Sequence, residues 1–129
     1  MIQLDLIGLV VRDMAASLAF YRLLGLDIPA ALDAEPHAEI TLPNGLRLAW
    51  DSLSMMQQIY PDWNASPTGT RMAIAFRCAS PAEVDATWQR LVDAGYQGHS
   101  APWDAFWGQR YAVIYDPDGN HLDLFAPLG

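Results

Sequence analysis

The stretch from Trp107 to Phe125 leaves this chain few choices of fold. Two alternating runs flank Asp116-Pro117-Asp118-Gly119. Pro117 presets φ inside the turn and Gly119 supplies the positive φ that closes it, so the stretch reads as a β-hairpin. In the closing run Leu122 and Leu124 share one face, while His121, Asp123 and Phe125 share the other. A carboxylate on the inner face of a strand is costly unless it meets a metal, a partner or a ligand. Asp123 is therefore the first candidate for function.

The hairpin ends a plan that the chain runs through twice. Ile2–Val11 is a β-branched, apolar run that reads as a strand. Asp13 then caps a helix with Met14, Leu18, Tyr21 and Leu24 at helical spacing, and Gly25 ends it. Pro43-Asn44-Gly45 joins strands near His37–Leu42 and Leu46–Asp51. In the second half Arg71–Ala79 is a strand and Ser80-Pro81-Ala82-Glu83 is a capping box with Pro at the first helical position. Val84, Trp88, Leu91 and Val92 give that helix its buried stripe, Gly95 stops it, and a strand near Tyr96–Ser100 precedes the closing hairpin. The expected fold is α+β, a single domain over 1–129 built from two tandem βαβββ modules. Module one covers about 1–52, a linker about 53–69 and module two about 70–129. The strands are expected to make a curved, partly open, barrel-like sheet with the helices on its convex face.

Composition narrows the partners. The formal charge is −8 and all 7 basic residues are Arg, a surface that repels nucleic acid and anionic membranes and favours cationic guests. No apolar run is long enough for a membrane span and the N-terminus lacks a signal-peptide pattern, so a cytoplasmic location is expected. The single Cys78 excludes an internal disulfide and reads as an inert buried thiol.

The order of elements, with Gly8-Leu9-Val10-Val11-Arg12-Asp13-Met14, Leu18-Ala19-Phe20-Tyr21, Leu24-Gly25-Leu26 and Asp116-Pro117-Asp118-Gly119-Asn120, resembles the vicinal oxygen chelate superfamily. That group includes glyoxalase I, extradiol dioxygenases, fosfomycin-resistance enzymes and bleomycin-resistance proteins. The resemblance covers nearly the whole chain. It implies metal ligands at Leu6, Ala49, Ala73 and Asp123, of which only Asp123 can bind a metal. Val113 stands where the extradiol dioxygenases carry an acid–base tyrosine. The closest resemblance is to the metal-free, acidic bleomycin-resistance-like branch, through Trp107-Gly108-Gln109-Arg110 and the Asp116–Asn120 turn, with Gln109 an inserted departure. It implies a cytoplasmic homodimer that needs no cofactor and binds a small organic ligand, aromatic or cationic, as in antibiotic sequestration.

Strand alternation and the aromatic residues supply the expected contacts. Glu39, Arg47, Asp51, Tyr111, Tyr115, His121 and Asp123 fall on the concave face. Trp103, Phe106 and Trp107 form an aromatic loop that serves either the ligand or a dimer contact, with Asp104 beside it favouring a cation. Met55, Tyr60 and Trp63, with Met56, are candidates for a pliable lid. Trp50 and Trp88 read as core. An enzymatic alternative is a glyoxalase-like lyase or isomerase, or a dioxygenase relative. It would use Asp123 as general base, His121 as its partner and Tyr111 or Tyr115 as acid. A further alternative is a metal held at non-family positions by His37, Glu39, His121 and Asp123.

Overall fold

The computed structural model describes residue 1, residues 3–59 and residues 72–129. The chain divides into two compact units, Met1–Arg22 with Leu26–Pro67, and Leu23–Gly25 with Thr68–Gly129.

The first unit runs β1 (Leu6–Val11), α1 (Met14–Leu24), a 3-10 turn (Ala30–Ala34), β2 (His37–Thr41), β3 (Arg47–Ser52) and α2 (Leu53–Ile59). Its sheet has the order β1-β3-β2, with β1 parallel and β2 antiparallel to β3. The Asp13 carboxylate accepts from the Ala16 amide at 3.0 Å and starts α1, as an N-cap should. The Leu26 amide donates back to the Tyr21 carbonyl at 3.0 Å where Gly25 ends it. On the apolar side of the sheet Leu48 and Trp50 are fully buried, and the Tyr21 ring of α1 meets the Trp50 ring edge-on at 5.3 Å. Burying an aliphatic side chain of the size of Leu48 stabilises by about 2 kcal/mol.

The second unit runs β4 (Ala73–Arg77), α3 (Pro81–Asp93), β5 (Gly98–Ala105), β6 (Gln109–Tyr115) and β7 (His121–Pro127), with sheet order β4-β7-β6-β5. Ser80 caps α3 by accepting from the Glu83 amide at 3.2 Å, while the Glu83 carboxylate reaches back to the Ala79 amide at 2.9 Å. The helix stops on a paired bond set, Tyr96 N–H to the Leu91 carbonyl and Gly95 N–H to the Val92 carbonyl. It packs on β5, β6 and β7. The Trp88 indole donates to the Val113 carbonyl at 3.2 Å, so Trp88 is half-buried with a polar tie rather than sealed in the core. Buried Asp116 organises the closing hairpin, its carboxylate accepting from the Asp118 and Asn120 amides and the Asn120 side chain. Gly119 takes the expected positive φ of 82°.

The fold is thus α+β with two βαβββ-like modules and mixed sheets, and it corrects four details of the sequence reading. The described strands make one three-stranded and one four-stranded sheet, and neither closes into a barrel. Module one has a 3-10 turn where module two has β5, because Ile28-Pro29-Ala30-Ala31 lacks period-2 alternation and Pro29 has no amide to donate. β1 begins at Leu6 rather than Ile2, and the chain after Ser52 continues as α2, which packs against β3 and β1.

Candidate functional site

Each sheet has one apolar face and one face of mixed polar and small residues, as the alternation predicts. On β7, Leu122, Leu124 and Ala126 are buried, while His121, Asp123 and Phe125 are only partly covered. The strand registers make the two modules comparable position by position. Leu6 stands opposite Arg47 and Gly8 opposite Ala49, as Ala73 stands opposite His121 and Ala75 opposite Asp123. Ala49 and Asp123 are therefore equivalent, and the positions that the resemblance would assign to a metal carry Leu6, Ala49, Ala73 and Asp123. One carboxylate and three aliphatic side chains do not fit a divalent ion, which takes three or more protein donors. Among the described residues no group of three or more His, Cys, Asp or Glu side chains could hold a metal.

In module one the candidates form a continuous charge chain. Arg47 donates to Asp5 at 2.6 Å and to Glu39 at 2.8 Å. Glu39 lies 3.6 Å from His37 Nε2, and His37 Nδ1 lies 2.5 Å from Asp51. The hydrogen bond to Asp51, reinforced by the charges of Asp51 and Glu39, raises the imidazole pKa above its ordinary value against an opposing desolvation effect. Glu39 is thus engaged by Arg47 and His37, and Asp51 by His37. Met55 lies on α2, half-buried, beside Met56. Tyr60 and Trp63, the other two lid candidates, lie outside the described residues.

In module two the aromatic residues join up. Trp107 is the hub: its ring lies 5.6 Å from Trp103, 4.9 Å from Phe106 and 5.2 Å from Tyr111, in each case edge-to-face. Such pairs add about 1 kcal/mol each beyond the area they bury. Gln109, the apparent insertion, accepts the Trp107 indole N–H at 2.8 Å and fixes the ring. The chain of rings ends at a carboxylate, because the Tyr111 hydroxyl donates to Asp123. Burial first, and the Asp123 acceptor second, push the Tyr111 pKa up to about 12, so the phenol stays protonated. The set remains open to solvent, with Trp103 41%, Trp107 49% and Phe106 91% exposed.

Two expectations change here. Trp103 is not on a loop, since β5 extends to Ala105 and Trp103 pairs directly with Tyr111. Asp104 does not serve the rings: strand alternation points it to the other face, where Arg110 bonds both Asp104 and Asp85 of α3. Arg110 is spent in the same way. Cys78 is buried and its thiol pKa is raised, mainly by burial, which makes it a poor nucleophile.

The sequence reading missed His99. Tyr115 and His121 form a direct cross-strand pair, and His99 completes their group, with its Nδ1 2.8 Å from the Tyr115 hydroxyl. Register shifts interrupt β5 between Gly98 and Ser100 and again before Trp103. No period-2 pattern survives them, so residue type was the only signal for His99.

Comparisons with known proteins agree with this fold. The family model of the Glyoxalase/Bleomycin resistance protein/Dioxygenase superfamily matches residues 3–124. An uncharacterized protein of Mycobacterium bovis is 30% identical, the alignment covering 93% of this chain and 80% of that one. A glyoxalase/bleomycin resistance protein/dioxygenase from Nocardioides is 27% identical with a TM-score of 0.77, covering 99% of this chain and 85% of the other. A glyoxalase-related enzyme from Fulvimarina pelagi has a TM-score of 0.81 at 24% identity, covering 98% and 88%, and speaks for the fold alone.

Proposed function

The chain belongs to the glyoxalase/bleomycin resistance protein/dioxygenase superfamily, and from that premise we propose that it binds a flat, cationic aromatic molecule on module two, without a metal at the family's ligand positions. One observation carries the reading: the chain of rings from Phe106 through Trp107 and Tyr111 ends at the Asp123 carboxylate. Ring faces attract flat guests and cations, and a fixed carboxylate at the end of the row holds positive charge. Retention of an antibiotic of this chemistry without altering it is the biological use that fits best. We propose further that the chain acts as a homodimer. The edges of β4 and β5, at the two ends of the sheet among the described residues, and the exposed Phe106 are surface that a second copy can cover.

Calorimetric and thermal-shift titration with flat aromatic cations and their uncharged isosteres tests the proposal. Saturation at about 100 times Kd should stabilise the protein by about 2.7 kcal/mol. Trp107→Ala should weaken binding at least ~10-fold, because a central aromatic anchor is lost, and Asp123→Asn should erase the preference for the cation. Absence of binding across the panel, or binding indifferent to both substitutions, overturns it.

A second reading rests on the Tyr111–Asp123 bond itself. A carboxylate beside a protonated phenol is a base–acid pair suited to moving a proton on a bound carbonyl compound. Turnover abolished by Asp123→Asn, in a protein that still folds and still binds, would favour it.

A further inference from the structure

Apart from the ring chain, module two holds a second cluster that the binding proposal leaves unused. His99 comes from β5, Tyr115 from the end of β6 and His121 from the start of β7. Their ring centres lie 5.1 Å (His99–His121), 5.3 Å (His99–Tyr115) and 4.9 Å (Tyr115–His121) apart. We propose that His99, Tyr115 and His121 bind a divalent transition-metal ion, with copper(II) held most tightly, through two imidazole nitrogens and the phenol oxygen.

Distances within the cluster fit that use. The Tyr115 hydroxyl and His99 Nδ1 are 2.8 Å apart. Two donors bound to one ion at about 2.0 Å and at a right angle stand about 2.8 Å apart as well. Two imidazoles sharing an ion have ring centres about 4.5 Å apart at a right angle and about 5.2 Å at the tetrahedral angle, a span that includes the His99–His121 separation. The ion would take the place of the proton shared by Tyr115 and His99, and that proton leaves to the buffer, so binding is a simple exchange with no change of oxidation state. Water fills the remaining positions. The Tyr115–His99 spacing fits a right angle and the His99–His121 spacing a near-tetrahedral one, a distorted set of two nitrogens and one oxygen that suits copper(II) or nickel(II), and copper(II) stands highest in the affinity order.

Charge separates these histidines from the third. His37 is engaged by Asp51 and Glu39, whereas among the described residues no ion pair engages His99 or His121. Their ring nitrogens need not be pulled from a carboxylate before an ion can bind. The cluster is also accessible, with His99 exposed and the other two half-buried. The site shares no donor with the family's ligand positions.

The test is titration of the untagged protein with copper(II), and separately nickel(II), by calorimetry and visible absorption. One equivalent should bind in the micromolar range, and the copper complex should show a phenolate-to-metal charge-transfer band. His99→Ala and His121→Ala should each weaken binding at least ~10-fold, Tyr115→Phe should remove the band, and His37→Ala should change nothing. If His121→Ala does not fold, His121→Gln stands in for it. Failure to bind one equivalent, binding indifferent to the His99 and His121 substitutions, equal loss on His37→Ala, or a copper complex without the band would each overturn the assignment.

Discussion

His37 lies between two carboxylates, and that placement makes stability depend on pH in a definite direction. Its folded pKa is raised above 6.5, so the folded state holds the imidazole proton at pH values where the unfolded chain has released it. The resulting stabilisation is fully present below about pH 6.5 and is lost as pH rises through the folded value. Partial exposure keeps the effect small. Urea midpoints measured from about pH 5 to about pH 9 should fall across that window in the wild-type protein and lose that feature in His37→Gln. Tyr111 offers the complementary experiment. Asp123 is the second cause of its high pKa, after burial, so Asp123→Asn should lower the tyrosinate midpoint from about 12 toward the ordinary 10 without reaching it. Absorbance titration reads this directly, and an unchanged midpoint would show that the bond does not persist in solution.

At the scale of elements, the contact between α3 and β5 leaves no room for a side chain at Gly98. A Cβ at Gly98 would stand 2.6 Å from the Trp88 ring, so Gly98→Ala must displace the indole and strain its bond to the Val113 carbonyl. A loss of about 1–3 kcal/mol is expected, the usual effect of overpacking, and denaturant unfolding with unchanged m-value would show it. Elements with local signals were legible in the sequence. Asp13, Ser80 and the glycines that end both helices bounded α1 and α3, and alternation placed Tyr111, Asp123 and His121 on one face. β5 was not legible beyond Ser100, because Gly98, Pro102 and two register shifts hide its period. For the same reason His99 was missed and Trp103 was placed on a loop. Ion pairs such as Arg110 with Asp104 and Asp85 depend on neighbours brought together by folding, from positions 25 residues apart in the latter case.

For the molecule as a whole, the charge of −8 acts on a guest before any contact forms. Raising salt from about 0.01 M to about 1 M shortens the screening length from about 30 Å to about 3 Å. The association rate of a cationic aromatic guest should fall about 10-fold over that range while that of an uncharged isostere holds, as stopped-flow mixing would measure. Both modules carry the same ladder and fill it differently: His37 opposite Asp51 in one, Tyr111 opposite Phe125 in the other. Module two also holds strands of unequal length. β5 runs 8 residues from Gly98 to Ala105 while its paired partners on β6 span only Ile114 to Gln109, so the strand carries slack. Losing a residue between Ser100 and Trp103 would remove one of the two register shifts and leave the Trp103–Tyr111 pair intact. Relatives of this chain should therefore vary by insertion and deletion in β5, reshaping the aromatic surface without replacing any of its rings.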